Sequence, residues 1–271
     1  MFAGDPKGSA GNVVNCRCSI AQVVRRDSNG NIMLSGAKKP VSSGFIKPIA
    51  DTVKPNVFRA AKTLKEAEEW SNNYFKQFNN SKTFKSDFTG MDLSLVNKQV
   101  AQLEKLTKEY KIDGFYGIEV YNSKRSVAKV TRIPPDNDYY LGYNSFEYQN
   151  EKRIVNGYKG MVDNGFSPRI ESKYYDISTT THEFAHMFGV NSKKIKQSPE
   201  WWSFRKELLR INKDYKNSEI LMSTDKNFIS SYANTNLDEF MAEAFMQYKL
   251  SDAPSKYAIS VGKLIDKYFK I

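Results

Sequence analysis

His182-Glu183-Phe184-Ala185-His186 sets two imidazoles four positions apart. In a helix that spacing is one turn, so both rings stand on one face and can reach a single zinc ion. Glu183 then lies beside the metal, able to take a proton from bound water. These are the only two histidines in the chain. Two histidines placed at random would fall four apart with glutamate after the first in about 0.04% of placements, so chance explains the pattern poorly. On a helical wheel Ile177, Phe184 and Phe188 form an apolar stripe opposite His182 and His186, and Gly189 is placed to stop the helix. The plainer alternative is a surface helix with two solvated histidines.

Two histidines leave a metal one protein ligand short. Farther along, Asn236-Leu237-Asp238-Glu239-Phe240-Met241-Ala242-Glu243-Ala244-Phe245 offers the third. Leu237, Phe240, Met241, Ala244 and Tyr248 make one stripe of this helix, and Glu239 with Glu243 makes the other. Two such helices can bury their apolar backs and face their polar fronts across a cleft. A solvated face carrying two glutamates would give the same pattern.

The rest of the chain sets the frame. Thr63–Phe75 has a threonine cap, early acidic residues and helical spacing of Leu64, Ala67 and Trp70. Leu93–Tyr110 repeats the pattern with Leu95, Val100, Leu103 and Leu106, and further helices are expected from about Asp176, over Trp201–Lys216 and over Tyr257–Phe269. Gly114–Tyr121 and Ser126–Ile133 read as strands of a hairpin, stopped by Pro134–Pro135, and Tyr140–Gln149 is aromatic and extended in character. Mixed elements followed by helices argue an α+β fold with a mainly helical carboxyl-terminal half. At 271 residues with 40% hydrophobic and 26% charged residues, the chain can bury a real core and is neither disordered nor disulfide-stapled as a whole.

The formal charge of +11 is uneven. Residues 1–60 carry nine basic and three acidic residues, more than half of the excess. Ser35–Pro55 has too little apolar periodicity to fold alone and reads as an extended basic tail or linker, with contact to an anionic surface or nucleic acid as the other reading. The organisation expected is therefore a tail over residues 1–56 and a folded domain over 57–271. The domain is nearer charge balance, which speaks against a nucleic-acid groove. Cys16 and Cys18 cannot complete a tetrahedral zinc site and read as reduced thiols or a strained local disulfide. Neither a signal peptide nor a membrane-spanning run is seen.

His182–His186 followed by Ser231-Tyr232-Ala233-Asn234-Thr235-Asn236-Leu237-Asp238-Glu239-Phe240-Met241-Ala242-Glu243-Ala244-Phe245 resembles the catalytic domain of anthrax lethal factor and related gluzincins, including the Pro-Pro endopeptidases. The likeness covers roughly residues 140–271. It implies a zincin-like metallopeptidase with a small mixed sheet. In it His182, His186 and Glu239 bind zinc, Glu183 is the general base, Tyr232 stabilises the oxyanion and Glu243 orients a ligand. The match is poor from His186 to Tyr232. Zinc so held would keep a fourth position for water and lower its pKa toward about 7. A protein or peptide substrate would lie extended along a strand edge above the motif helix, with Tyr140–Gln149 as the candidate edge.

Gly4-Asp5-Pro6 and Gly11-Asn12-Val13-Val14-Asn15-Cys16-Arg17-Cys18-Ser19-Ile20 resemble the carboxyl-terminal end of phage Mu F-like head morphogenesis (minor capsid) proteins. That likeness implies the distal part of a larger phage or prophage protein, with Met1 not necessarily its natural start. It implies a toxin or effector enzyme behind a head domain, phage head or portal components as partners, and a place on the virion or inside the host bacterium. The competing reading is a structural virion protein whose metal only stabilises the fold, to which a general base at Glu183 would be of no use.

Overall fold

The computed structural model describes residues 57–78, 83–124, 126–133, 138–190, 198–218 and 225–271. The basic tail, Cys16 and Cys18, the head-protein likeness and Pro134–Pro135 lie outside the described residues. The architecture is α+β, with a four-stranded mixed sheet and eight α-helices among the described residues. No helix among them is long and apolar enough to cross a membrane.

Capping side chains start most of the helices. Thr63 accepts from the Glu66 amide at the start of α1 (Leu64–Phe75), and Asp92 accepts from Ser94 and Leu95 at the start of α2 (Leu93–Glu109). The expected α2 residues Leu95, Val100, Leu103 and Leu106 are all fully buried. A short α3 (Ser145–Tyr148) leads into α4 (Glu151–Asp163), which the sequence pattern does not announce. The α4 helix carries Gly157 and Gly160, both poor helix formers facing open space, and buries only Ile154 and Tyr158. The motif helix α5 (Ser178–Val190) is followed by α6 (Pro199–Asn217), α7 (Leu237–Leu250) and α8 (Lys256–Phe269).

The strands are β1 (Lys85–Ser86), β2 (Phe115–Tyr121), β3 (Ala128–Ile133) and β4 (Asp138–Asn144), in the order β1-β2-β4-β3. The expected hairpin between β2 and β3 does not form. Instead β4 lies between them, parallel to β2 and antiparallel to β3. The reason is burial. Tyr139, Leu141, Gly142 and Tyr143 are covered from both faces of β4, whereas β3 alternates buried Ala128 and Val130 with half-exposed Lys129 and Thr131, the pattern of an edge. The candidate edge Tyr140–Gln149 is thus an interior strand ending at Asn144, and the edges are β3 and the two-residue β1. Gly117 is required where β1, β2 and β4 meet, because a Cβ there would stand 2.4 Å from the Lys85 carbonyl oxygen.

A single apolar cluster joins the sheet to the helices, with Tyr110 of α2's C-terminal cap against Phe184, Phe188 and Phe245. Phe188 also meets Phe269, so α5, α7 and α8 share one aromatic centre. Ile177 departs from the expected stripe. It precedes α5 and packs with Tyr158, Ile170, Met246 and Leu250 in a smaller cluster. Gly189 does not stop α5 either. It lies within the helix, against Asp238 and Met241.

Candidate metal centre

The α5 helix is buried on every side rather than amphipathic, and its first turns are polar: Ser178, Thr179, Thr180 and Thr181 are all buried. Buried hydroxyls need partners, and α2 supplies them. Gln102 Nε2 donates to Thr181 Oγ1 at 2.9 Å, Gln99 Nε2 donates to the Asp176 carbonyl at 3.0 Å, and Thr180 Oγ1 donates to Gln99 Oε1. Tyr143 of β4 shares a 2.9 Å hydrogen bond with Thr180. Together these fix the rotation of α5 about its axis and so the direction of its histidines. Gln99 and Gln102 could have been suspected from sequence, since they interrupt the apolar positions Leu95, Val96, Val100 and Leu103.

On α7, Asn236 caps the helix by accepting from the amides of Asp238 and Glu239, both at 2.9 Å, which locks the first turn that carries Glu239. Glu239 is 3% exposed and Glu243 2%, so neither belongs to a solvated face. His182 and His186 are buried with them, which also removes the surface-helix reading of the motif.

His182 Nε2, His186 Nε2 and Glu239 Oε2 converge, with separations of 3.1 Å between the nitrogens and 3.1 and 3.3 Å from each nitrogen to the carboxylate oxygen. This buried triad could hold a metal ion. Glu239 Oε2 makes no hydrogen bond of acceptable geometry despite its two close nitrogens, the mark of an oxygen whose natural partner is a cation. Burial disfavours a charged His182, but Glu239 and Glu243 outweigh it and raise the imidazole well above its usual pKa. Burial likewise opposes charge on His186, and Glu239 again raises it. Burial pushes Glu239 up, yet the two imidazoles hold it well below the usual carboxylate range. The field that favours protons on these nitrogens equally favours a metal cation between them.

Behind the triad, Glu243 Oε1 is 2.7 Å from His182 Nδ1, leaving Nε2 to face the centre. The other oxygen of Glu243 accepts from Ser230 Oγ at 2.7 Å, and Ser230 Oγ accepts from the Ala233 amide at 3.0 Å. That amide belongs to the 3₁₀ turn Tyr232–Asn234, so one hydroxyl ties the turn carrying Tyr232 to the carboxylate behind His182. Tyr232 is further held by its amide on the Phe166 carbonyl and stacks on Phe166 at 4.9 Å and on His182 at 6.1 Å between centroids. Glu183 is fully buried on α5. His182, His186 and Glu239 thus meet at one centre with Glu243 and Tyr232 beside His182, and Ser230, which no spacing in the sequence flags, links the last two.

No family model, no curated protein and no solved structure matches the chain.

Proposed function

We propose that this protein is a zinc-dependent endopeptidase of the zincin type. The observation that carries the reading is the convergence of His182, His186 and Glu239 with buried Glu183 on the same turn of α5. A tetrahedral zinc with ligand bonds of about 2.0–2.1 Å sets its donor atoms about 3.3–3.4 Å apart. The separations of 3.1–3.3 Å lie close to that set, so small side-chain shifts would admit the ion. The likeness of the two motifs to the lethal factor and Pro-Pro endopeptidase domains supports the same reading.

Zinc, when bound, supplies Lewis acidity that acidifies water and polarises a carbonyl. The chain's own residues do the rest. Glu183 accepts the proton of the attacking water and delivers it to the leaving amine. Tyr232 donates a hydrogen bond to the developing oxyanion. Glu243 and Ser230 keep His182 and the Tyr232 turn in place. An extended peptide is received along β3, the sheet edge packed beside α5. The likeness of Gly4–Ile20 to phage head proteins supports a toxin or effector carried by a minor capsid protein and delivered to a host bacterium.

The test is quantitative identification of new amino termini in bacterial lysates treated with wild-type or Glu183→Gln protein. Glu183→Gln should keep its zinc and lose at least about 10²-fold in rate, and Tyr232→Phe should lower kcat by about 10²-fold with a smaller effect on KM. Equal cleavage by Glu183→Gln and wild type overturns the mechanism.

A further inference from the structure

The outward side of α6 carries apolar and cationic groups together. Phe204, Leu208, Ile211 and Tyr215 turn the other side of the helix into the core. That leaves Trp202, Lys206, Leu209, Lys213 and Lys216 exposed on one stripe, at spacings of four, three, four and three. Trp202 is 63% exposed and Leu209 55%, two of the five large apolar side chains exposed among the described residues. A single exposed leucine needs no account, but a tryptophan and a leucine two turns apart on one stripe form a ridge.

The α8 helix lies antiparallel beside α6, since Phe204 meets Tyr268 and Phe269 at one end and Tyr215 meets Tyr257 at the other. It exposes a second stripe, Lys256, Ser260, Lys263 and Lys267. Arg210 of α6 and Ser260, Lys263 and Lys267 of α8 line the groove between the two helices, so both stripes belong to one side of the molecule. Neither stripe contains a carboxylate. Glu207 and Asp214, which flank the groove, are engaged by Lys267 at 2.8 Å and Arg210 at 3.5 Å. Lys206, Lys213, Lys216 and Lys263 form no ion pair among the described residues.

Four unpaired ammonium groups on one side call for an anionic partner. The ridge narrows its class. Against a nucleic acid, Leu209 would face phosphates and their water. At a bilayer surface the indole ring settles at headgroup level and the leucine enters the acyl boundary. The lysine stems then run beside them and set their charges among the lipid phosphates.

We propose that the α6–α8 face docks on an anionic phospholipid bilayer, with Trp202 and Leu209 entering the interface and the lysines meeting the headgroups. The contact is peripheral, because no described helix is long and apolar enough to cross a membrane. It does not depend on the peptidase reading. The core side of α6 rests on α7 through Tyr215 and Phe240, so docking would carry the metal centre to the membrane surface.

The basic tail also attracts anions, so the test must read α6 itself. Full-length protein is sedimented with vesicles of phosphatidylcholine alone, or of phosphatidylcholine mixed with phosphatidylglycerol, while tryptophan emission is followed. Binding should be at least about tenfold tighter to the anionic vesicles, with emission shifted to the blue. Trp202→Phe should lose most of that shift although Trp70 and Trp201 remain. Each charge near an anionic surface is worth about fivefold in binding, so Lys213→Glu with Lys263→Glu should weaken it by at least about 10²-fold. Lys65→Glu with Lys159→Glu makes the same charge change at exposed positions of α1 and α4, and should cost less than about threefold. Equal weakening by the two double variants, or a blue shift kept in Trp202→Phe, overturns the proposal by placing the contact elsewhere. Duplex DNA bound as tightly as the anionic vesicles, through the same lysines and with no blue shift, overturns the bilayer as the partner.

Discussion

Glu243 reaches the metal site only through His182 Nδ1, so its effect should appear in how tightly the metal is held. Losing the carboxylate frees the ring to turn and weakens its nitrogen as a donor. Glu243→Ala should reduce zinc affinity by about 10- to 100-fold, and Ser230→Ala by less, as measured by competition with a chelating indicator. Unchanged affinity in Glu243→Ala would mean that the 2.7 Å contact does not orient the ring. At this scale the histidines and both glutamates were legible, because helical spacing alone sets His182 by His186 and Glu239 by Glu243 on common faces. Ser230 was not legible, because a serine hydroxyl has no periodic partner and its role depends on a turn meeting a helix.

The elements hold the site by pairing polar groups inside the core. Gln99 bridges the Asp176 carbonyl and Thr180, and Gln99→Leu would take this donor from the buried carbonyl and leave Thr180 with Tyr143 alone. The expected cost is about 1–3 kcal/mol, read as a lower denaturation midpoint with an unchanged m-value. A variant as stable as wild type would show that α5 is positioned by apolar packing alone. Most of the helices were readable from capping residues and apolar spacing. Strand order was not, because the short β2–β3 connection suggests a hairpin while the apolar run Tyr139–Tyr143 claims the interior position beside β2. The alternation of Lys129 and Thr131 with Ala128 and Val130 already carried the edge character of β3. The α4 helix was missed because its two glycines mask a one-sided apolar pattern.

Across the whole molecule, burial of five ionisable site groups, His182, Glu183, His186, Glu239 and Glu243, makes the fold depend on what neutralises them. Zinc present at about 1,000 times its dissociation constant adds about 4 kcal/mol of apparent stability. Chelation should therefore lower Tm, and restoring zinc should restore it. A chain beginning at Val57 should unfold cooperatively and keep its metal, since the amides of Phe58 and Ala61 are already fixed by Glu104 and Asn97. Proteolysis of the full chain should cut first around Lys38–Lys54. Loss of cooperative unfolding in the shortened chain would make the tail part of the domain. The division into tail and domain could be argued from composition, whereas the meeting of α5, α7 and the Tyr232 turn at one point depends on long-range packing that no local pattern contains.

Elemental analysis of purified wild type beside His186→Ala tests the metal centre most directly. Removing one imidazole takes away a strong nitrogen donor and leaves Glu239 facing a single ring. Wild type should carry one zinc per chain, and His186→Ala, still folded by circular dichroism, should carry far less than a stoichiometric amount. Undiminished zinc in His186→Ala, or none in the wild type after exposure to excess zinc, would contradict the assignment of His182, His186 and Glu239 as the metal ligands.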